Sequence, residues 1–472
     1  MRYGNYLSEY AEPTEACWDS NGNIAWERNG RPISPMVRNH YLDHERLPDW
    51  VVKDRKTRKT THLKSAIPLD KTIYLSDEKE IREIAKSLGL SVRKDTLVST
   101  GVLLANLYQL VCLDVTNCLS LSMDNTRWNK NHSDNPLGVT SHICKQVKRL
   151  ERNDWVIRYR GFKNPATGKG YNSVIVVKEK LVELLNSHDS LQLKISSKAS
   201  IRRKSLLRDE KTGKRNSLPI DESFFPTHVI ETQKILETYN QFINEQQITI
   251  DNPYKKTFND LIAFHCNYYG EGYELQSRII GGRYQNIPKD LRKDSLRING
   301  EKAVEIDIVE SHPTILYALA GKPLKLNEIG KSYWLDDVEP SEDERDEVKK
   351  SFSILLNSSS REKAIAAVRY AQNSGDISAT FSPQQLVCKL ESRHKAISHL
   401  FYRQDVGLRC MHYEGILMIK LLSEAVKLRI VCLPLHDAVI STEPNKIIVA
   451  QLLRNEFNEV LTAECRVNFK EL

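Results

Sequence analysis

Apolar and polar residues alternate with period two in Ala303-Val-Glu-Ile-Asp-Ile-Val309. This predicts a strand with Val304, Ile306 and Ile308 turned to a core and Glu305 and Asp307 sharing the opposite face. Ser311-His312-Pro313 follows and opens an apolar helix that stops near Gly321; proline suits a first helical turn and glycine the position past the last one. Asp307 then stands at a strand-to-helix junction. Farther on, residues 429–441 read as two β-rich runs flanking His436-Asp437, a hairpin with an acid at its tip. Between these elements Arg345, Lys349, Ser353 and Asn357 recur every four residues within 344–358, so they lie on one face of a helix.

The upstream pattern is different. Residues 100–115 form an apolar helical stretch, and a second helix is predicted over 140–153. Ile143, Val147 and Leu150 of that helix face a core, which leaves His142, Lys145, Gln146 and Arg149 outward. A strand at 155–160, a turn-rich loop through Asn164-Pro165 and Gly168-Lys-Gly170, and a strand at 173–177 come next. Helix, strand, basic loop and strand in this order resemble a winged helix-turn-helix. The resemblance implies a helix in the major groove, with Lys145, Gln146 and Arg149 on bases or phosphates. A winged helix used for protein contacts, or a small α+β unit with a solvated basic face, has the same pattern.

Composition narrows the class. The chain has 472 residues, 28% of them charged, and a formal net charge of +8. No run approaches the ~18 consecutive apolar residues of a membrane span. The start lacks an apolar leader, and the nine cysteines form no Cys-x-x-Cys pair; a cytoplasmic protein without a disulfide framework is the expectation. The charge is uneven. Residues 141–220 hold 19 Lys and Arg against 7 Asp and Glu, a net +12, so the other 392 residues are net −4. Concentrated positive charge points to a polyanion partner. The organisation read from these features is 1–95, of unassigned role; 96–186, the winged-helix module; 187–225, a basic linker; and 226–472, a second domain.

In that last domain a carboxylate from each of two strands is what a two-metal phosphoryl-transfer site needs. Mg²⁺ takes oxygen ligands, usually one or two protein carboxylates plus substrate phosphates. Two cations one helical turn apart, Arg345 and Lys349, suit a triphosphate. A lone His-Asp pair is ordinarily a turn, and a lone basic helix face ordinarily faces water. The HD-type phosphohydrolases place their ligands on helices rather than in a hairpin. Asp43-x-Glu45 matches the acidic pair of proofreading exonucleases without the buried strand they require.

Acid strand, basic helix and His-Asp hairpin in this order resemble the family A nucleic-acid polymerases, over roughly residues 275–445. Gly281-Gly-Arg283-Tyr-Gln285-Asn-Ile-Pro288 is similar to a shortened form of the family's Gly-Arg…Gln-Asn-Ile-Pro signature. The resemblance implies an α+β, multi-domain protein: the winged-helix module plus a right-hand palm and fingers on an antiparallel sheet. It further implies Asp307 and Asp437 as metal ligands, for Mg²⁺ with Mn²⁺ substituting, and Arg345 and Lys349 as catalytic and nucleotide-binding. Asn357 and His312 would shape the sugar pocket, Arg283 and Gln285 would contact primer–template, and Glu305, His436 and Glu414 would support the site. Glu414-Gly415, opening an apolar helix, sits near the family's Gln-Gly. Ser353, Asn357, His312 and Ala438 depart from the family pattern, which leaves sugar selectivity open. Reverse transcriptases and family B polymerases carry paired aspartates in the hairpin; here one Asp follows His.

The expected function is template-directed nucleotidyl transfer, as DNA polymerase or primase-polymerase, serving replication of a phage, plasmid or other mobile element. The partners are DNA, nucleoside triphosphates and replication proteins, with no membrane. The alternative is a DNA-binding replication initiator or regulator with an inert palm.

Overall fold

The computed structural model describes residues 67–113, 118–125, 128, 135–159, 172–188, 191–196, 200–208, 215–250, 262–286, 292, 295–335, 338–403 and 405–471. Asp43-x-Glu45 and the loop through residues 164–170 lie outside them. The chain divides into two compact units, the first mainly residues 1–199 and the second mainly residues 259–472 with 200–206 and 221–253. Both mix helices with sheets, and no described helix is long and apolar enough to cross a membrane.

The first unit contains β1 (Ile67–Pro68), β2 (Ile73–Leu75), α1 (Glu78–Ser87), α2 (Lys94–Leu113), β3 (Cys118–Leu121), α3 (His142–Arg152), β4 (Val156–Tyr159), β5 (Ser173–Val177), α4 (Glu179–Asn186) and β6 (Leu193–Ile195). Four strands form a sheet in the order β1-β3-β5-β4, and β2 pairs with β6. The two helices and the β4–β5 pair stand where the apolar pattern puts them. Helix α2 starts at Lys94, so residue 95 lies inside a helix, and β1, β2 and α1 precede it. Ile143, Val147 and Leu150 of α3 are buried, as their spacing requires.

Gln146 departs from its expected outward position. It is 1% exposed, and its amide donates to the Ser91 carbonyl at 2.8 Å and the Thr100 hydroxyl at 2.8 Å. Its Oε1 accepts from the Ser91 N–H at 3.2 Å. A buried amide left unbonded costs about 1–3 kcal/mol, so this side chain belongs to the core of the unit and not to a surface that meets nucleic acid.

Strands β7 (Ile201–Arg208) and β8 (Arg215–Ser217), with β6, fall in the stretch expected as a linker. The second unit continues with α5 (Thr227–Asn244), β9 (Ile248–Ile250), β10 (His265–Tyr269), β11 (Leu275–Ile280), β12 (Leu296–Ile298), β13 (Glu301–Ile308) and α6 (Ser311–Leu319). Then come α7 (Glu342–Asn357), α8 (Arg361–Asn373), α9 (Pro383–Arg393), α10 (Val406–Leu428), β14 (Leu433–Leu435), β15 (Ala438–Thr442), α11 (Lys446–Leu461) and β16 (Val467–Glu471).

The larger sheet of this unit runs β14-β15-β13-β12-β9, with β16 also on β13, and all its pairings are antiparallel. Val304, Ile306 and Ile308 fill the core beneath β13. Two buried tyrosines and a half-buried amide fix the strand that leads to the hairpin. The Tyr239 hydroxyl donates to the Cys432 carbonyl at 2.6 Å and accepts from its N–H at 2.7 Å. The Tyr284 hydroxyl and the Gln285 amide both donate to the Pro434 carbonyl, at 2.6 and 2.8 Å. Gln285 also accepts from the Gly281 N–H at 3.0 Å, so its amide ties a loop to β14 and is not free to read primer–template.

Candidate active site

Strands β13 and β15 pair so that Asp307 stands opposite Ala438, which brings Asp437 beside it; the Asp437 carbonyl accepts from the Ile308 N–H at 3.4 Å. His436 makes the turn at φ 62 and Asp437 completes it, giving the hairpin with an acid at its tip. Glu414 is the third carboxylate near this point, because its charge and that of Asp307 both act on Asp437. It does not open a helix. It sits in the middle of α10, 1% exposed, with β11 packed along the helix.

A bulge in β11 supplies the partner of Glu414. Gln276 and Ser277 have φ of 75 and 45, and the register with β10 slips there so that Asn267 pairs with Arg278. A bulge re-aims the side chains beside it. The Ser277 hydroxyl donates to the His412 carbonyl at 2.8 Å, which seats the bulge on α10. Arg278 then reaches Glu414 Oε2 with Nε at 3.0 Å and Nη2 at 2.6 Å. The Ser311 hydroxyl donates to Oε1 at 2.9 Å, and His312 Nε2 lies 3.2 Å from the same oxygen. Burial alone would raise the Glu414 carboxyl; His312 and Arg278 outweigh it and hold it down at about 2.

The β13 acids have their own cations. Lys470, on β16, donates to Asp307 Oδ2 at 2.5 Å and to Glu305 Oε1 at 3.1 Å. Burial lowers the pKa of this ammonium, but the two carboxylates more than reverse that and raise it. Arg292 reaches Glu305 Oε2 at 3.3 Å. Glu305 is thereby committed on both oxygens, whereas Asp307 keeps Oδ1 without a hydrogen bond among the described residues.

Asp437 is the exception. No cation or hydroxyl among the described residues bonds its carboxylate, and burial, followed by the charges of Glu414 and Asp307, pushes its pKa up to about 6. Glu305, Asp307, Glu414 and Asp437 thus meet three permanently charged partners, Lys470, Arg278 and Arg292. Of these four, the one at the hairpin tip has no bonded cation among the described residues.

Helix α7 opens with a capping box between Ser341 and Glu344. Its buried Glu347 accepts from the Gln372 amide at 2.9 Å and the Thr380 N–H at 3.1 Å. That clamp leaves Arg345, Lys349, Ser353 and Asn357 on the exposed face, as the four-residue spacing predicts. The Arg345 guanidinium lies 5.6 Å from the Tyr333 ring centroid, and Tyr333 also feels the charge of Asp437, so Arg345 and the hairpin acid share one neighbourhood. Asn357 donates back to the Ser353 carbonyl at 2.8 Å.

The structure therefore gathers Asp307, Asp437, Glu305, Glu414, His312 and His436 at one end of the sheet, with Arg345 within reach through Tyr333. Lys145, Gln146 and Arg149 belong to the other unit, and the Arg283 side chain lies outside the described residues. Sequence reading missed Arg278, Lys470, Arg292 and Glu310. Glu310, at φ 51 just past β13, accepts through Oε2 from the Gly330 and Ser332 N–H groups at 3.0 and 2.9 Å. The sequence of β11, Leu275-Gln-Ser-Arg-Ile-Ile280, offers no pattern that singles out Arg278.

No family model matches this chain, and neither does any curated protein. Among solved structures it is similar to the POL domain of Pol1 from M. smegmatis, in complex with DNA primer-template and dNTP. The identity is 15%, the TM-score 0.27, and the match covers 44% of this chain and 47% of that one. The chain thus spans about half the length of the solved structure it matches.

Proposed function

We propose that the second unit transfers nucleotidyl groups on a nucleic-acid template and that the first unit holds DNA. The observation that carries the reading is the half-buried Asp437 beside Asp307, with no cation bonded to it among the described residues and the cationic face of α7 nearby. Among the described residues no group of three or more His, Cys, Asp or Glu could hold a metal ion. Two carboxylates with free oxygens suit Mg²⁺, which takes its remaining ligands from water and phosphates and does not need an all-protein cage. Asp307, through Oδ1, and Asp437 would hold it, and Mn²⁺ would substitute. When bound, such an ion supplies charge neutralisation at the reacting phosphate and lowers the pKa of the attacking hydroxyl.

The chain's own groups do the rest. Arg345 and Lys349 grip the triphosphate and stabilise charge on the departing pyrophosphate. Glu414, fixed by Arg278 and Ser311, holds His312 at the start of α6, where the ring borders the sugar. Arg283 contacts the primer–template backbone. In the first unit the order β3-β5-β4 around α3 is that of a winged helix. Lys145, Lys148, Arg149 and Arg152 are all exposed on α3, none in an ion pair or side-chain hydrogen bond among the described residues. They meet DNA phosphates and base edges. Replication of a phage, plasmid or other mobile element is the setting this pairing of modules suits.

The second reading, a DNA-binding initiator whose palm is inert, draws on one observation. Lys470 occupies Oδ2 of Asp307, a place a cation-binding aspartate would be expected to keep open.

The test is incubation of the full chain with unprimed single-stranded DNA and with a primed template, labelled dNTPs or NTPs being supplied separately with Mg²⁺ or Mn²⁺. We expect incorporation that falls to background in Asp307→Ala and Asp437→Ala while DNA binding is retained. Undiminished synthesis by either variant removes the site assignment. DNA binding without synthesis under every condition selects the initiator.

A further inference from the structure

Strand β13 has a neighbour on each side at the height of its acids. Asp307 pairs with Ala438 of β15 and with Asn468 of β16, and Glu305 pairs with Lys470 of β16. Residues two apart on a strand share a face, so β16 brings one long cationic side chain to the face that carries both acids. The Lys470 ammonium donates to Asp307 Oδ2 at 2.5 Å and to Glu305 Oε1 at 3.1 Å. It is held more firmly than a surface lysine beside one exposed acid. The Glu305 side chain is only 7% exposed, and Arg292, itself 8% exposed, occupies its other oxygen at 3.3 Å. Moving Lys470 away would strip a buried carboxylate of one of its two cations.

This contact limits what the site can take. Two ions acting on one phosphoryl group stand about 3.5–4 Å apart. So short a separation calls for a carboxylate that gives one oxygen to each ion. Glu305 has neither oxygen to give, and Arg278, Ser311 and His312 occupy both oxygens of Glu414. Among the described residues Asp307 keeps only Oδ1 unbonded. Oδ1 and the Asp437 carboxylate are left for one ion. A further ion on Asp437 would find no second free carboxylate among these acids, and the place at Oδ2 already holds a positive charge.

We propose that Lys470 stands in for one of the two ions of a phosphoryl-transfer centre, so that the second unit works with a single divalent ion on Asp307 Oδ1 and Asp437. The proposal rests on the nucleotidyl-transfer reading and gives the Lys470 contact a use other than inactivation. Lys470 acts through Asp307 and is a positioning residue.

Electron paramagnetic resonance of Mn²⁺ titrated into the full chain tests it, with Asp437→Asn marking which ions belong to the site. The parent should hold one ion more than Asp437→Asn, with the spectrum of an isolated Mn²⁺. Lys470→Met, close in length but uncharged, frees Oδ2 and should admit a second ion, giving the spectrum of a spin-coupled pair. Lys470→Arg keeps the charge and should stay at one ion. If Lys470→Met does not fold, the count and spectrum of the parent decide alone. A coupled pair in the parent, or a single uncoupled ion in folded Lys470→Met, overturns the proposal and leaves the nucleotidyl-transfer reading standing. Binding that appears only when Lys470 is removed also overturns it, because the lysine is then a block. No Asp437-dependent ion in the parent or in either Lys470 variant removes the reading itself, and the proposal with it.

Discussion

Helix α3 of the first unit and the sheet end of the second both carry charges without partners among the described residues, but the two mean different things. Lys145, Lys148, Arg149 and Arg152 stand in water, where an unpaired ammonium or guanidinium costs nothing and an ion pair would gain little. At the sheet end, Glu305, Asp307 and Glu414 are each matched to a cation within 3.3 Å, because a carboxylate withdrawn from water has to be compensated. Asp437 in that setting is uncompensated, and it is informative for that reason. Exposed basic residues indicate what the surface tolerates; a half-buried acid with no bonded cation among the described residues indicates what the site awaits.

The largest effect expected from disturbing this balance is at Arg278. Arg278→Ala leaves Glu414 buried without its main cation and should cost about 3 kcal/mol of unfolding free energy. Pairing it with Glu414→Gln should recover a large part, as a double-mutant cycle in urea would show. Unfolding unchanged by Arg278→Ala would mean that Ser311 and His312 alone carry the glutamate.

Asp437 should behave in the opposite sense. Its folded pKa, about 6, lies above the ordinary aspartate value, so the folded state binds more protons between roughly pH 4 and 6. Stability therefore falls as pH rises through that window, and the penalty is complete above it. In metal-free buffer at pH 7, Asp437→Asn should be more stable than the parent by about 1–3 kcal/mol, allowing for solvent at a partly exposed group. The gap should close near pH 4. Mg²⁺ or Mn²⁺ should raise the thermal midpoint of the parent and leave the variant unmoved.

The smallest effects separate core from surface within α3. Gln146→Ala should cost about 1–3 kcal/mol, since Ser91 and Thr100 lose their partner, and leave the salt dependence of DNA binding as it was. Lys145→Ala with Arg149→Ala should leave stability within about 0.5 kcal/mol and flatten the logarithmic salt slope by roughly 2, one per lost phosphate contact. The reverse assignment of these two outcomes would exchange the roles given to the residues.

Local pattern carried much of this into the sequence. The alternation around Asp307, the β-rich flanks of His436-Asp437 and the four-residue spacing of Arg345 and Lys349 are all short-range, and each is realised. Gln146 was also legible. It stands three residues after Ile143 and one before Val147, on the apolar stripe itself, but its polarity suggested the opposite face. Glu414-Gly415 was set at the opening of a helix beside the family's Gln-Gly, although the helical run of α10 begins upstream at Val406. The partners of the acids left no such trace. Lys470 is 163 residues from Asp307 and Arg278 is 136 from Glu414, and no periodicity spans such distances. Only the folded sheet brings them together.

Gly415 places the whole cluster under a constraint that has nothing to do with charge. A β-carbon there would fall 2.1 Å from the Ser277 carbonyl oxygen and 2.3 Å from its hydroxyl oxygen, so even alanine has no room. Accommodating one methyl group would drive the bulge off α10 and take Arg278 with it. Position 415 should then be among the least substitutable in the chain, and a library randomised there should return glycine alone, however tolerant the neighbouring positions prove.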